Sequence, residues 1–370
     1  MKPGFAEQIS QCVEKVPIVK NVARKKFLGM FTIGLIKSRN VQFCEVAQHL
    51  NDSAKLTSNE VRIQDFFREV ELDYYFVAAL LISLLPAKGK LRLCIDRTEW
   101  DFGSCQVNIL MVLAGQGSRQ VPLYWELLDN KSGNSSSKDR IDLLKLCITL
   151  LGKERIGLVI GDREFIGQKW MKYLKDNGVL FVMRLPKHHL IHRLDGAVLQ
   201  VDQLCFQADT PLKLKDCLVD GVWGQVWVKP LEKGDYLFLF GTANVEYFGQ
   251  FYRKRWTIET CFQSFKERGF DLEKTHLKDA SKLKKLVALV SMAYSFCLSM
   301  GIYLHEKVQK IKTKRHGYKS KSFVRKGIDY IREISRTEQD LPHTLINRIK
   351  ALFRLILSQL SHYQLLKIDG

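Results

Sequence analysis

Between residues 91 and 183 the chain alternates short apolar runs with turns and two helical stretches, and two of those runs deliver an aspartate. Residues 91–95 read as a strand that leads into Asp96, and residues 106–114 and 121–128 as two more, with a turn over 115–120 that holds Gly115 and Gly117. The links are too short for crossover helices, so these three strands are expected to form an antiparallel meander. A polar stretch ending at Asp139 then opens a helical run over 141–151, and a fourth strand over 156–160 delivers Gly161 and Asp162. A helix over 167–177, stopped by Gly178, and a fifth strand over 179–183 complete the pattern. A fourth strand that returns beside the first through a right-handed crossover must run parallel to it. Asp96 and Asp162, far apart in the chain, would then lie near one end of adjacent strands, close enough to share a cation.

Three meander strands followed by helix, strand, helix and strand is the element order of an RNase H-like mixed sheet in an α/β fold. The first 85 or so residues show helical and no strand patterning. Residues 41–50 and 57–70 read as two helices around a polar turn, with Thr57 and Glu60 as a capping box. Ile63, Phe66, Phe67 and Val70 share one face of the second helix, and Arg62 and Arg68 lie off it. That arrangement suits either a helix-turn-helix lodged in DNA or a plain helical bundle. After His188 the chain becomes β-rich, with strands expected over 198–201, 222–228 and 236–240 and glycines 221, 224 and 234 at turns. A long helical run over 245–268 follows. Residues 286–303 then form an uncharged stretch, which Ser291, Ser295 and Ser299 mark as a buried helix of a soluble domain rather than a membrane span.

The formal net charge of +19 and the pI near 9.5 point to a polyanion, and hence nucleic acid, as partner. From 251 to 330 there are 19 Lys and Arg against 7 Asp and Glu, so most of the excess lies there. Nine scattered cysteines with no CxxC pair argue against a disulfide framework or zinc module and for a reducing cytosol. His188, His189 and His192 lack the spacing of a metal site. Glu99 and Asp101 read as loop acids, and Glu164 as a surface acid near the second strand end.

The run over 245–268 holds Tyr252, Arg255, Glu259 and Lys266, which at about 100° per residue fall within roughly 60° of one another on a helix. Phe251, Ile258, Phe262 and Phe265 occupy a different arc, so one face packs while the other presents an acid, two cations and a phenol. This spacing of Tyr, Arg, Glu and Lys resembles the YREK signature of one branch of bacterial insertion-sequence DDE transposases. Asp96 in IDRTEW and Asp162 in GDREF resemble the first and second acid boxes of the same family.

The resemblance implies an RNase H-like catalytic domain whose triad, Asp96, Asp162 and Glu259, holds two Mg²⁺ ions, with Mn²⁺ able to substitute. Independently, hard cations favour carboxylate oxygens, and strand cleavage needs an activated oxygen nucleophile and a stabilised leaving oxygen. Tyr252, Arg255 and Lys266 resemble the residues that grip transposon-end phosphates. Trp256 is placed either to stack on an unpaired base or simply to pack. The branch typically excises its element by cut and paste, often through a hairpin, and Trp223 and Trp227 are the candidates in the insertion for holding a flipped base. The expected organisation is a helical N-terminal DNA-binding region (1–85), a catalytic core in two parts (86–186 and 236–304), a β-rich insertion (187–235) and a basic helical C-terminal region (305–370). Double-stranded DNA, both transposon ends and target, is the expected partner of a cytoplasmic, nucleoid-associated protein, with a homodimer in the DNA complex. The alternatives are an RNase H-like nuclease without strand transfer and a non-enzymatic protein that occupies element ends.

Overall fold

A computed structural model describes residues 5–50, 53–85, 89–102, 105–129, 133–204, 210–231, 235–315, 317–335 and 358. The expected turns at 86–88 and at Gly234, and most of the C-terminal region beyond 335, lie outside the described residues.

The N-terminal region is helical: α1 (Phe5–Glu14), α2 (Val22–Ser38), α3 (Phe43–Ala47), α4 (Leu56–Glu69) and α5 (Tyr74–Ser83). Ile63, Phe66 and Phe67 of α4 are buried, as their spacing requires, and Phe27 and Phe43 pack against them. The expected capping box does not form. Helix α4 begins at Leu56 with Lys55 as its N-cap, which puts Thr57 inside the first turn, past the capping position. Asp73 caps α5 by accepting from the backbone N–H of Tyr75 and Phe76.

The meander is β1 (Leu91–Phe102), β2 (Cys105–Gln116) and β3 (Arg119–Leu128), followed by α6 (Ser137–Leu151), β4 (Ile156–Gly161), α7 (Gln168–Asp176) and β5 (Phe181–Arg184). Ser136 and Asp139 form a reciprocal capping box that starts α6 earlier than its apolar periodicity suggested. The insertion supplies β6 (Leu190–Arg193), β7 (Val198–Gln200), β8 (Leu212–Val219) and β9 (Val222–Pro230), and β10 (Tyr236–Gly241) returns to the core. Among the described residues these strands make one sheet in the order β3-β2-β1-β4-β5-β10-β9-β8-β6-β7. Strand β1 is antiparallel to β2 and parallel to β4, and β4 is parallel to β5, which is the RNase H-like arrangement. The insertion continues this sheet through β10 rather than standing beside it.

Helices α8 (Phe248–Arg253), α9 (Trp256–Phe265), α10 (Ala280–Lys307) and α11 (Phe323–Ile334) follow. By length and composition α10 could cross a membrane, but 94% of its apolar window is buried inside the protein. Lys285 is buried near its start, donating to the carbonyl of Phe67 at 2.9 Å, and Trp125 of β3 donates to the carbonyl of Lys284. Helices α10 and α11 approach closely at two glycines. A Cβ on Gly301 would lie 1.8 Å from the carbonyl oxygen of Phe323, and one on Gly327 equally close to that of Cys297. Backbone cannot yield as a side chain can, so Gly301→Ala is expected to destabilise the fold by about 3 kcal/mol. Unfolding in urea would show this as a lower midpoint, and an unchanged midpoint would contradict the close packing.

Candidate functional site

Strands β1 and β4 bring the two aspartates together. Cys94 lies opposite Ile160, so Asp96 and Asp162 fall level two residues further along. Strand β4 stops at Gly161, and Asp162 begins a short 3₁₀ turn over Arg163–Phe165. A Cβ at Gly161 would lie 2.8 Å from Met183 and from the Phe165 ring, so the approach to Asp162 needs a glycine. Asp96, in contrast, is not at a strand end as the sequence suggested. Strand β1 runs on to Phe102 because β2 pairs with it as far as Cys105. Asp96 therefore sits inside a strand, beside the point where its neighbour has ended.

The helical run expected over 245–268 is divided. A 3₁₀ turn over Val245–Tyr247 leads into α8, the chain tightens at Lys254 and Arg255, and α9 follows. At the joint the backbone bonds shorten to three-residue spans, from Lys254 N–H to Phe251 and from Arg255 N–H to Tyr252. Strand β1 holds this joint at three successive inward positions. Arg92 lies 5.5 Å over the Phe251 ring, the Cys94 thiol donates to the carbonyl of Lys254 at 3.8 Å, and Asp96 accepts from Arg255.

The joint aims three of the four signature residues at the acids. Tyr252 donates its hydroxyl to Asp162 Oδ1 at 3.0 Å. Arg255 forks between two carboxylates, with Nη1 2.9 Å from Asp96 Oδ2 and Nη2 2.5 Å from Glu259 Oε1. Lys266 leaves the group: it ends α9 with ψ of −141°, pairs with Glu273 at 3.0 Å and lies over the Trp100 ring. The expected single face thus resolves into a triplet at the acids and one cation beyond the helix. Trp256, the first residue of α9, is 61% exposed and so does not serve the core.

Burial raises the Asp96 carboxyl to about 6, with Arg255 pulling it down and the neighbouring acids pushing it further up. Burial likewise pushes the Tyr252 phenol up to about 12, keeping it a neutral donor. For Arg255 burial works against the charge, but Tyr252, Asp96, Asp162 and Glu259 outweigh it, and the guanidinium is held protonated. Among the described residues no three His, Cys, Asp or Glu side chains gather tightly enough to form a ready metal cluster. The donor chemistry nevertheless suits a hard cation: oxygens of Asp96 and Glu259 already converge on one positive group, and Tyr252 orients Asp162 beside them.

A flanking network escaped the sequence reading. Glu164 is not a surface acid: it accepts from Arg97 Nε and from Ser135 Oγ, each at 3.0 Å, and Arg140 donates to the same serine oxygen at 2.8 Å. Arg97 also gives its backbone N–H to Asp96 Oδ1 at 2.9 Å. The alternation of Arg97, Glu99 and their neighbours in β1 was the available signal, once the strand is known to continue.

The two insertion tryptophans separate clearly. Trp227 pairs with Leu239, Leu239 with Arg184, and Met183 with Gly161, so Trp227 is level with Asp162. It borders a groove of about 360 Å³ shared with Tyr252, Arg253, Lys213 and Lys229. Trp223 is 41% exposed but lies four residues toward the opposite end of the sheet. In the N-terminal region Arg62 is exposed, whereas Arg68 is engaged by Asp65 at 2.6 Å and Glu69 at 3.1 Å. His188 and His189 pair separately with Asp202 and Asp220.

No curated protein matches the chain. Among solved structures the chain is similar to the piggyBac transposase in its synaptic complex with hairpin DNA, with 11% identity, a TM-score of 0.47, and coverage of 95% of this chain and 84% of that one. It also matches Argonaute from Marinitoga piezophila in complex with 5′-OH guide RNA, with 10% identity, a TM-score of 0.22, and coverage of 57% and 34%. Residues 131–296, somewhat under half of the chain, match the family described as Transposase DDE domain. That segment contains Asp162, Tyr252, Arg255 and Glu259, while Asp96 precedes it. The family match is thus to a DDE transposase domain, over the residues that carry two of the three acids.

Proposed function

We propose that the chain is a DNA transposase that cuts and rejoins strands at the ends of an insertion sequence by cut and paste. The observation that carries this reading is the fork of Arg255 between Asp96 and Glu259 while Tyr252 holds Asp162. Three acids from separate elements are thereby gathered by two residues of the signature. The acids would ligate two divalent cations, Mg²⁺ or in its place Mn²⁺, and when bound these would activate the attacking oxygen and stabilise the leaving one.

The chain's own residues then divide the work. Asp96 and Asp162 are fixed by the sheet, and Glu259 reaches them from α9. Arg255 and Tyr252 hold the acids, and each would pass from a carboxylate to a phosphate oxygen as the strand arrives. Trp256 offers an open aromatic face beside the joint; of the two insertion tryptophans Trp227 is level with Asp162, but it is 5% exposed and would have to turn out of its packing on Gly249 to hold a displaced base if excision runs through a hairpin. Arg62 is free to contact DNA through a helix-turn-helix of α3 and α4, and Arg68 would first have to exchange its acids for phosphate. The active assembly is read as a homodimer on DNA, and the protein as a cytoplasmic one that associates with the nucleoid.

Incubating the protein with its element's terminal DNA and Mg²⁺ or Mn²⁺ tests the proposal. Cleavage at the end followed by joining to target DNA is expected, and cleavage without joining would identify a nuclease instead. Lys266, outside the triplet, is assigned to phosphate grip alone. Lys266→Ala is expected to weaken end binding and to reduce the slope of log affinity against log salt by about 0.9. An unchanged slope would remove Lys266 from the DNA contacts.

A further inference from the structure

On the inward face of β1, four residues before Asp96, lies a second arginine in a contrasting setting. The guanidinium of Arg92 stacks over Phe251, and its Nε and Nη1 are sealed from solvent with no hydrogen-bond partner. Among the described residues no carboxylate pairs with it, and the nearby Cys94 thiol is held neutral by burial. Arg255, on the same joint and buried to a similar degree, is matched by two acids. A half-buried cation with two nitrogens that find no partner among the described residues is costly for a fold to keep, so a bound anion is a candidate counter-ion.

The space beside it can admit one. A cavity of about 380 Å³ is lined by Arg92 together with Lys90, Gly115, Gln116, Gly157 and Phe251. Lys90 is exposed at its mouth and brings a second positive charge. Gly157 keeps one wall low: a Cβ there would lie 3.0 Å from that of Lys90. An arginine edge, a lysine and an aromatic wall form a setting for a phosphate group, with an apolar surface for whatever the phosphate carries.

We infer that this cavity is a phosphate-binding site in which Arg92 and Lys90 are the ligands. It is not the site of strand cleavage. Arg92 pairs with Gly115 at the end of the sheet away from the acids, and four residues of strand set it about 13 Å from Asp96. The phosphate could belong to a nucleic-acid backbone or to a free nucleotide, and the inference holds whether or not the triad assignment does.

Thermal unfolding of the full chain in EDTA, so that no divalent ion acts at the acids, reads the site directly. Inorganic phosphate, a nucleoside monophosphate and a DNA duplex of unrelated sequence are compared with chloride at matched ionic strength. Phosphate is expected to raise the wild-type Tm by several degrees and to leave Arg92→Met unmoved. In chloride alone Arg92→Met, which removes an unpaired charge at similar volume, is expected to melt no lower than wild type. Should that variant fail to fold, Arg92→Lys, which keeps the charge but loses the fork, is expected to weaken the phosphate response about tenfold. A larger response to the mononucleotide marks a free nucleotide as the ligand, and a larger response to the duplex marks DNA. The same phosphate response in wild type and in the Arg92 variant would overturn the inference, as would no response to any of the three.

Discussion

Asp162→Asn and Glu259→Gln are each expected to lower the rate of end cleavage by at least about a thousandfold, equivalent to about 4 kcal/mol of barrier. Both replacements preserve shape. In the first, the amide oxygen would still accept from the Tyr252 hydroxyl, which now meets Asp162 at 3.0 Å, and the fold would not change. What disappears is the negative charge that draws a hard cation to the site. DNA binding should persist and even strengthen slightly, since an acid facing a phosphate repels it. Gel shift with terminal DNA and a cleavage time course on the same samples separate the two effects. Cutting at the wild-type rate by either variant would take that residue out of the triad.

Arg255→Met should act on stability before it acts on catalysis. The guanidinium is the only group seen bridging Asp96 and Glu259 among the described residues, and Asp96 lies in a largely buried setting while Glu259 is half-buried. Breaking such a contact from one side leaves uncompensated charge, at a cost of about 3 kcal/mol. The loss should depend on pH in a defined direction. Burial already raises Asp96 to about 6, and without Arg255 pulling it down the carboxyl would rise further. A carboxyl whose folded pKa lies above its unfolded value costs stability once it is ionised. The deficit of Arg255→Met is therefore full above the folded pKa and shrinks as pH falls through it towards 4, near the unfolded value. Millimolar Mn²⁺ should restore part of the loss at neutral pH, because a divalent cation can replace the missing charge. A variant equally stable at all pH values, with no response to Mn²⁺, would mean that Arg255 does not compensate the acids.

Much of the core was legible because its strands are bounded by turns and filled with apolar residues. Strands β4 and β10 and helix α7 fall within a residue or so of where glycines and periodicity put them. Strand β1 proved longer because its second half, RTEWDF, mixes charge with aromatic residues; only pairing with β2 makes it a strand. Strand β8 was missed for a related reason. It alternates Leu and Lys on a half-exposed face and is broken by Asp216, whose φ of 54° shifts the register between Leu214 and Cys217. At the site, the identity of the acids and of Tyr252 and Arg255 could be read from spacing, but not their partners. A helical wheel gives the direction of a side chain relative to its own axis. The tightening at Lys254 and Arg255, which turns the triplet onto the acids and sends Lys266 elsewhere, depends on three contacts with a strand 160 residues away in sequence, as from Cys94 to Lys254. The same holds for Glu164, whose burial is decided by Arg97 and Ser135.

The unbroken sheet gives the molecule a built-in caliper. From β4 through β5 and β10 to β9 there is no flexible joint, only ladder pairing. Three strand spacings set the backbone at Trp227 about 14 Å from that at Asp162. Whatever is gripped along β9 is therefore gauged against the acids by a distance that neither ligand nor thermal motion can readily alter. A tether would let a nucleotide wander between the two points; a sheet measures it.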